Sequence, residues 1–156
     1  MRMAGEKSGK EALPVRQLKI ITETLQRNTK GAGDLIDVTS SLHELLRKSG
    51  LNEGSMIVFV IGSTASITTF EYEGGLIQDM RELYERIAPS GRRYKHDDTW
   101  NDDNGFSHVR AALQGPSVTV PFSGSKLLLG TWQQVVLAEF DIRARDRKIV
   151  IQLMGQ

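Results

Sequence analysis

Residues 56–61 read Met-Ile-Val-Phe-Val-Ile, an unbroken apolar run of the length of a strand buried on both faces. The segments around it follow two periods. Leu18, Ile20 and Thr22 alternate with Lys19, Ile21 and Glu23, which predicts a strand. Thr29 to Asp34 carries two glycines and predicts a turn, and residues 35–38 a second short strand. Thr39 is the expected cap of a helix running to about Ser49, with Leu42, Leu45 and Leu46 as its inward stripe and Gly50 as its stop. Gly62 to Ser66 interrupts the apolar run, and Ile67 to Glu71 resumes extended structure. From Gly74 to Ile87 the residues Leu76, Met80, Leu83, Tyr84 and Ile87 recur at helical spacing, and Pro89 closes that helix. Residues 118–120, 134–140 and 148–153 predict further strands, the last two as an antiparallel pair joined by a basic turn. The sum is an α+β fold with two packed sheets and helices to one side. Residues 15–156 form one domain, preceded by a polar tail, residues 1–14, expected to be mobile.

The stretch from Tyr94 to Gln133 departs from these periods. It holds His96 and His108, Trp100 and Trp132, and the acidic cluster Asp97, Asp98, Asp102 and Asp103. Its first part reads as a long irregular loop, a kind usually functional or disordered; the helix and strand that follow favour an ordered, functional one. After Asn104-Gly105 a helix is predicted over 106–114, stopped by Gly115-Pro116. On its wheel Phe106, Val109, Ala112 and Leu113 form the expected buried face, and Ser107, Arg110 and Gln114 the other. His108 falls at the border, where an imidazole can be packed on one side and reach a ligand on the other. The helix start suits an anion.

Composition narrows the function. The formal charge of +1 gives no electrostatic reason to expect nucleic acid or an anionic membrane as partner. Cysteine is absent, which removes disulfides, thiol catalysis and thiolate metal sites. No apolar run approaches a membrane span and no signal segment stands at the start, so a cytoplasmic location is expected. The lone Gly-x-Gly at Gly31 and Gly33 is no dinucleotide fingerprint, because Ile36 stands where the third glycine belongs. The Asp-rich run is no EF-hand, because Trp100 and Ala111 occupy ligand positions. His43 reads as a partly exposed structural histidine.

His96, the Asp103-Asn104-Gly105 turn, His108-Val-Arg-Ala-Ala-Leu, Gly-Pro-Ser-Val-Thr-Val-Pro and Leu-Leu-Leu-Gly-Thr-Trp-Gln-Gln resemble the YjbQ-like family, also called the secondary thiamine-phosphate synthase family. The resemblance covers most of the chain after the tail. It implies an α+β β-sandwich with flanking helices, assembled as a homotrimer. It also implies a transferase joining a thiamine pyrimidine to a thiazole phosphate. The family motif His-Thr-Thr-Ala or His-Thr-Ser-Ala, followed by a glutamate, is matched by Ser63, Thr64, Ala65 and Glu71, but Gly62 stands where the family has histidine.

On that resemblance His96, His108 and Glu71 are the candidate catalytic groups. Ser63, Thr64, Asn104, Arg110 and Ser117 are candidates for a phosphorylated ligand, and Thr131, Trp132 and Gln133 for its heterocycle. A divalent metal, zinc or magnesium, is the candidate cofactor, with His96, His108 and Asp103 as ligands. Plainer readings stand beside these: His96 as an exposed loop residue, His108 as a buried-edge residue bonded to backbone, Trp132 as core. The alternative function is an oligomeric metal- or small-ligand-binding protein without efficient catalysis.

Overall fold

The protein is described by a computed structural model covering residues 17–156, so the tail at residues 1–14 lies outside the described residues. In chain order the elements are β1 (Lys19–Asn28), β2 (Leu35–Asp37), α1 (Thr39–Ser49), β3 (Gly54–Ile61), β4 (Ala65–Phe70), α2 (Gly74–Ile87), α3 (Lys95–Trp100), α4 (Gly105–Gln114), β5 (Ser117–Ser123), β6 (Lys126–Leu127), β7 (Gln134–Glu139) and β8 (Asp146–Gly155). Two antiparallel sheets result, one ordered β1-β8-β3-β5-β6 and the other β2-β7-β4.

The alternation of side chains along the strands sets the layers. Met56, Val58 and Val60 of β3 and Ile149, Ile151 and Leu153 of β8 point at Val135 and Leu137 of β7 and Ile67 of β4, with Leu42 and Leu46 of α1 closing one end. Val136 and Ala138 of β7 point the other way, toward Tyr84 of α2 and Ala111 of α4. The small sheet is therefore the middle layer. β7 is buried on both faces, as its composition Val-Val-Leu-Ala requires.

Four expectations are corrected. β7 and β8 do not pair with each other: β7 lies between β2 and β4 in the small sheet, and β8 between β1 and β3 in the larger one, so the basic turn joins two sheets. The apolar run of β3 is buried on one face only: Phe59 and Ile61 are exposed, because no helix among the described residues covers that side of the larger sheet. Thr39 does not cap α1. It stands one residue inside, where its hydroxyl accepts from the Val135 amide at 2.8 Å, while Asp37 Oδ1 accepts from the Thr39 amide. The loop before α4 contains the short helix α3.

Elsewhere local chemistry matches the boundaries. Gly50 ends α1 at φ 68°, a conformation that favours glycine. The Glu73 carboxylate accepts from the Gly75 and Leu76 amides at the start of α2.

Candidate functional site

Asp97 builds the corner at which α3 meets α4. Its Oδ2 accepts from the Tyr94 amide at 2.8 Å, and its Oδ1 accepts from the Gly105 amide at 2.9 Å. One carboxylate thus ties the start of α3 to the start of α4. The Tyr94 amide is the main cause holding the Asp97 carboxyl below its ordinary range; burial opposes it, and the Gly105 amide adds to it. Gly105 is needed at the join, because a Cβ there would overlap Tyr94 Cβ.

This corner brings His96 and His108 together, with ring centroids 4.4 Å apart and planes tilted by 47°. Both are half-buried and line a cleft of about 460 Å³ that also carries Arg92, Lys95 and the ion pair of Arg93 with Asp98, at 2.7 Å. The carboxylate beside the pair is Asp102, whose Oδ1 lies 3.8 Å from His96 Nε2 and is buried without a hydrogen-bond partner. Asp103 faces a different hollow, shared with Ser90, Gly91 and Arg93. Asn104 Oδ1 and Ser107 Oγ are likewise buried and unpartnered. Two imidazoles on a cationic cleft can exchange a proton with a bound molecule. Among the described residues no group of three His, Cys, Asp or Glu side chains is placed to hold a metal ion.

The other candidates lie elsewhere in the protomer. α4 is turned relative to its predicted wheel: Ser107 and Arg110 are buried, whereas Val109 is 42% and Leu113 65% exposed. Arg110 tolerates burial because its Nε and Nη2 donate to the Ala88 carbonyl at 3.0 and 2.8 Å and its Nη2 pairs with Glu85 at 2.6 Å. It lines a second cleft, not the one of the histidines. Thr64 is buried, donating to Asp141 and accepting from Arg147, while Ser63 and Glu71 are exposed. Ser117 is exposed at the start of β5. Thr131 and Trp132 are exposed in the turn before β7. Gln133 donates to Thr69 Oγ1 at 3.0 Å and lines a groove with Val118 and Leu128.

Gly62, the departure from the family motif, has a physical counterpart. Its φ is +142°, and a Cβ built there would lie 2.7 Å from Nη1 of Arg147. The guanidinium takes the space that a side chain at 62 would need. Arg147 in turn donates from Nε and Nη2 to the wholly buried Glu139, at 2.6 and 2.5 Å, across the gap between the two sheets. Asp141 joins through Thr64 and Arg145, and Thr29 donates to Glu139 at 2.8 Å. Sequence reasoning missed this network. The one available signal was a glutamate directly following four apolar residues of β7.

Two antiparallel sheets backed by helices, with a histidine pair at a helix corner, define an α+β sandwich protein with a candidate small-molecule site. The family described as "UPF0047 protein YjbQ-like" matches residues 23–156, and the chain belongs to that family. A UPF0047 protein of Methanothermobacter thermautotrophicus is 35% identical over 139 residues, covering 89% of this chain and 95% of the relative. One from Archaeoglobus fulgidus is 34% identical over 121 residues, covering 78% of this chain and 91% of the relative. Among solved structures, a YbjQ-like protein of unknown function from Sulfolobus solfataricus superposes with a TM-score of 0.83 at 29% identity, over 90% of this chain and all of that one. A protein of Aeropyrum pernix superposes with a TM-score of 0.80 at 28% identity, over 87% of this chain and 99% of that one.

Proposed function

We propose that the protein is a thiamine-phosphate-synthase-like transferase acting on phosphorylated heterocycles at the His96–His108 cleft. The observation that carries this reading is the imidazole pair, 4.4 Å between centroids, on a cleft that also bears Arg92, Arg93 and Lys95. Displacing a diphosphate with a ring nitrogen needs charge neutralised on the leaving group, not an enzyme nucleophile. The cations supply that neutralisation, and the histidines supply or remove a proton. The test is product formation by purified protein from a pyrimidine diphosphate and a thiazole phosphate, with His108→Ala and His96→Ala beside it. Loss of turnover in both variants is the expected result; undiminished product from either removes that histidine from the mechanism.

The reading includes assembly as a homotrimer. Phe59 and Ile61 on the bare face of the larger sheet and Val109 and Leu113 on α4 are apolar side chains left in solvent by the protomer, the kind of surface that assembly covers. Sedimentation velocity is expected to give three protomers, and a monomer at assay concentration overturns this part.

A second reading, small-ligand binding without efficient chemistry, is favoured by Gly62, which stands where the family motif has an imidazole. Saturable ligand binding with no turnover would select it.

A further inference from the structure

A second cleft, of about 510 Å³, lies between the Gly31–Gly33 turn and α2, on different residues from the histidine site. Its turn is held open by glycine, with φ of +110° at Gly31 and +85° at Gly33. The turn's own bonds are accounted for: the Gly33 amide donates to Glu139 O, the Asp34 amide to Gly31 O, and the Lys30 amide to Asp34 Oδ2. The amides of Gly31 and Ala32 donate to nothing among the described residues. Arg81 donates its Nε to Gly33 O at 2.8 Å, which fixes the guanidinium against the turn and leaves both terminal nitrogens without partners there. Arg110, only 4% exposed, reaches the same cleft with Nη1 unpaired among the described residues.

The two carboxylates in the cleft do not cancel these donors. Asp34 is turned onto its own turn, and Glu85 already accepts from Arg110 at 2.6 Å and from the Ser90 amide and hydroxyl at 3.0 and 3.2 Å. Lys30 adds a further ammonium at the rim. Unspent donors therefore come from the turn, from α2 and from α4. A planar carboxylate offers two oxygens; a phosphoryl group offers three, able to meet donors from three sides. The limited volume of the cleft and the formal charge of +1 favour a small molecule over a nucleic-acid backbone.

We infer that this cleft is a binding subsite for the phosphoryl group of a small molecule, separate from the histidine cleft. Lys30, Arg81 and Arg110 supply the charge and the Gly31–Ala32 amides the close contacts.

The test is a titration of the full chain with inorganic pyrophosphate at constant ionic strength, followed by amide and arginine Nε resonances. Saturable shifts are expected at Gly31, Ala32 and Arg81. Arg81→Gln and Lys30→Gln should each weaken binding by about tenfold, the loss expected for one charge-assisted contact. Lys126→Gln, on β6, should leave it unchanged. Lys30→Gln alters an exposed side chain and keeps the test valid if Arg81→Gln fails to fold. Absence of saturable shifts, or an equal loss in Lys126→Gln, overturns the subsite. His96→Ala separates this inference from the proposed reaction: abolished turnover with intact pyrophosphate binding at the turn supports both sites. Binding lost in His96→Ala but retained in Arg81→Gln overturns the subsite alone.

Discussion

His96 and His108 stand with ring centroids 4.4 Å apart although they lie twelve positions apart in the chain, because Asp97 accepts amides from both sides of the intervening corner. No hydrogen bond between the rings themselves is needed to hold them there. The pair is a product of helix-start geometry.

Asp97→Ala therefore disrupts the site without touching either imidazole. Two amides lose their acceptor, α3 loosens from α4, and turnover should fall in parallel with a lowered Tm. The pH dependence follows from the depressed carboxyl. Its contribution to stability is fully present above the ordinary value of 3.8 and is lost as pH falls through the lower folded value. The stability advantage of wild type over Asp97→Ala should be full above 3.8, shrink as pH falls below it and vanish at the acid end. A variant curve parallel to wild type over that range would contradict the assignment.

Restoring the family residue at 62 is expected to harm the protein. Gly62→His must place a Cβ 2.7 Å from Arg147 Nη1 at a backbone φ of +142°. The strained conformation alone costs about 1–3 kcal/mol, and displacement of the guanidinium adds to it. Urea unfolding should show the loss in Gly62→Ala as well as Gly62→His. Wild-type stability in Gly62→His, with a gain in turnover, would show that the site accepts the imidazole.

The contrast between these two sites explains what the sequence could disclose. Strands such as β8, whose side chains alternate over its length, and helices such as α2, whose apolar residues recur at helical spacing, were legible because period follows directly from backbone geometry. The burial of that stripe was not: Tyr84 is buried, whereas Leu83 and Ile87 are exposed. α3 was not: it spans six residues, starts after Tyr94 instead of a usual capping residue, and carries mostly polar side chains. Only the acid at Asp97 hinted at it. The turned face of α4 was hidden for another reason. Arg110 looks like a solvent residue until the Ala88 carbonyl, 22 positions earlier, is known to receive it. Asp102 is the carboxylate beside His96, and adjacent carboxylates such as Asp102 and Asp103 cannot be told apart without the backbone that aims them. The Glu139–Arg147 pair crosses from one sheet to the other, so neither strand's own pattern could name its partner.

That pair makes a sharp prediction of its own. Removing one partner leaves a charge buried in the sandwich: Arg147→Met should cost about 3–5 kcal/mol in equilibrium unfolding. Glu139→Leu combined with Arg147→Met should recover much of the loss, since no uncompensated charge remains. Additive losses in the double variant would mean that the two residues do not act as a unit.

Tyr84 offers a test of the layer behind the small sheet. Its ring packs edge-on against Phe140, with centroids 4.7 Å apart, and its hydroxyl bonds Gln114 Oε1. Burial pushes its phenol from 10.0 up to about 12, against smaller opposing effects from Gln114 and Arg110. The charged phenolate is disfavoured in the fold, so the stability this group contributes is fully present below pH 10.0 and is lost as pH rises through about 12. At neutral pH Tyr84→Phe should be less stable by about 1–3 kcal/mol, because the Gln114 carboxamide is left without its acceptor's partner. Its Nε2 already has none. The ultraviolet difference between wild type and Tyr84→Phe during alkaline titration isolates the single phenol. A midpoint near 12 is expected, with the stability difference between the two proteins shrinking from pH 10.0 upward. A midpoint at 10.0 would place the Tyr84 hydroxyl in water and separate α2 from the buried face of β7.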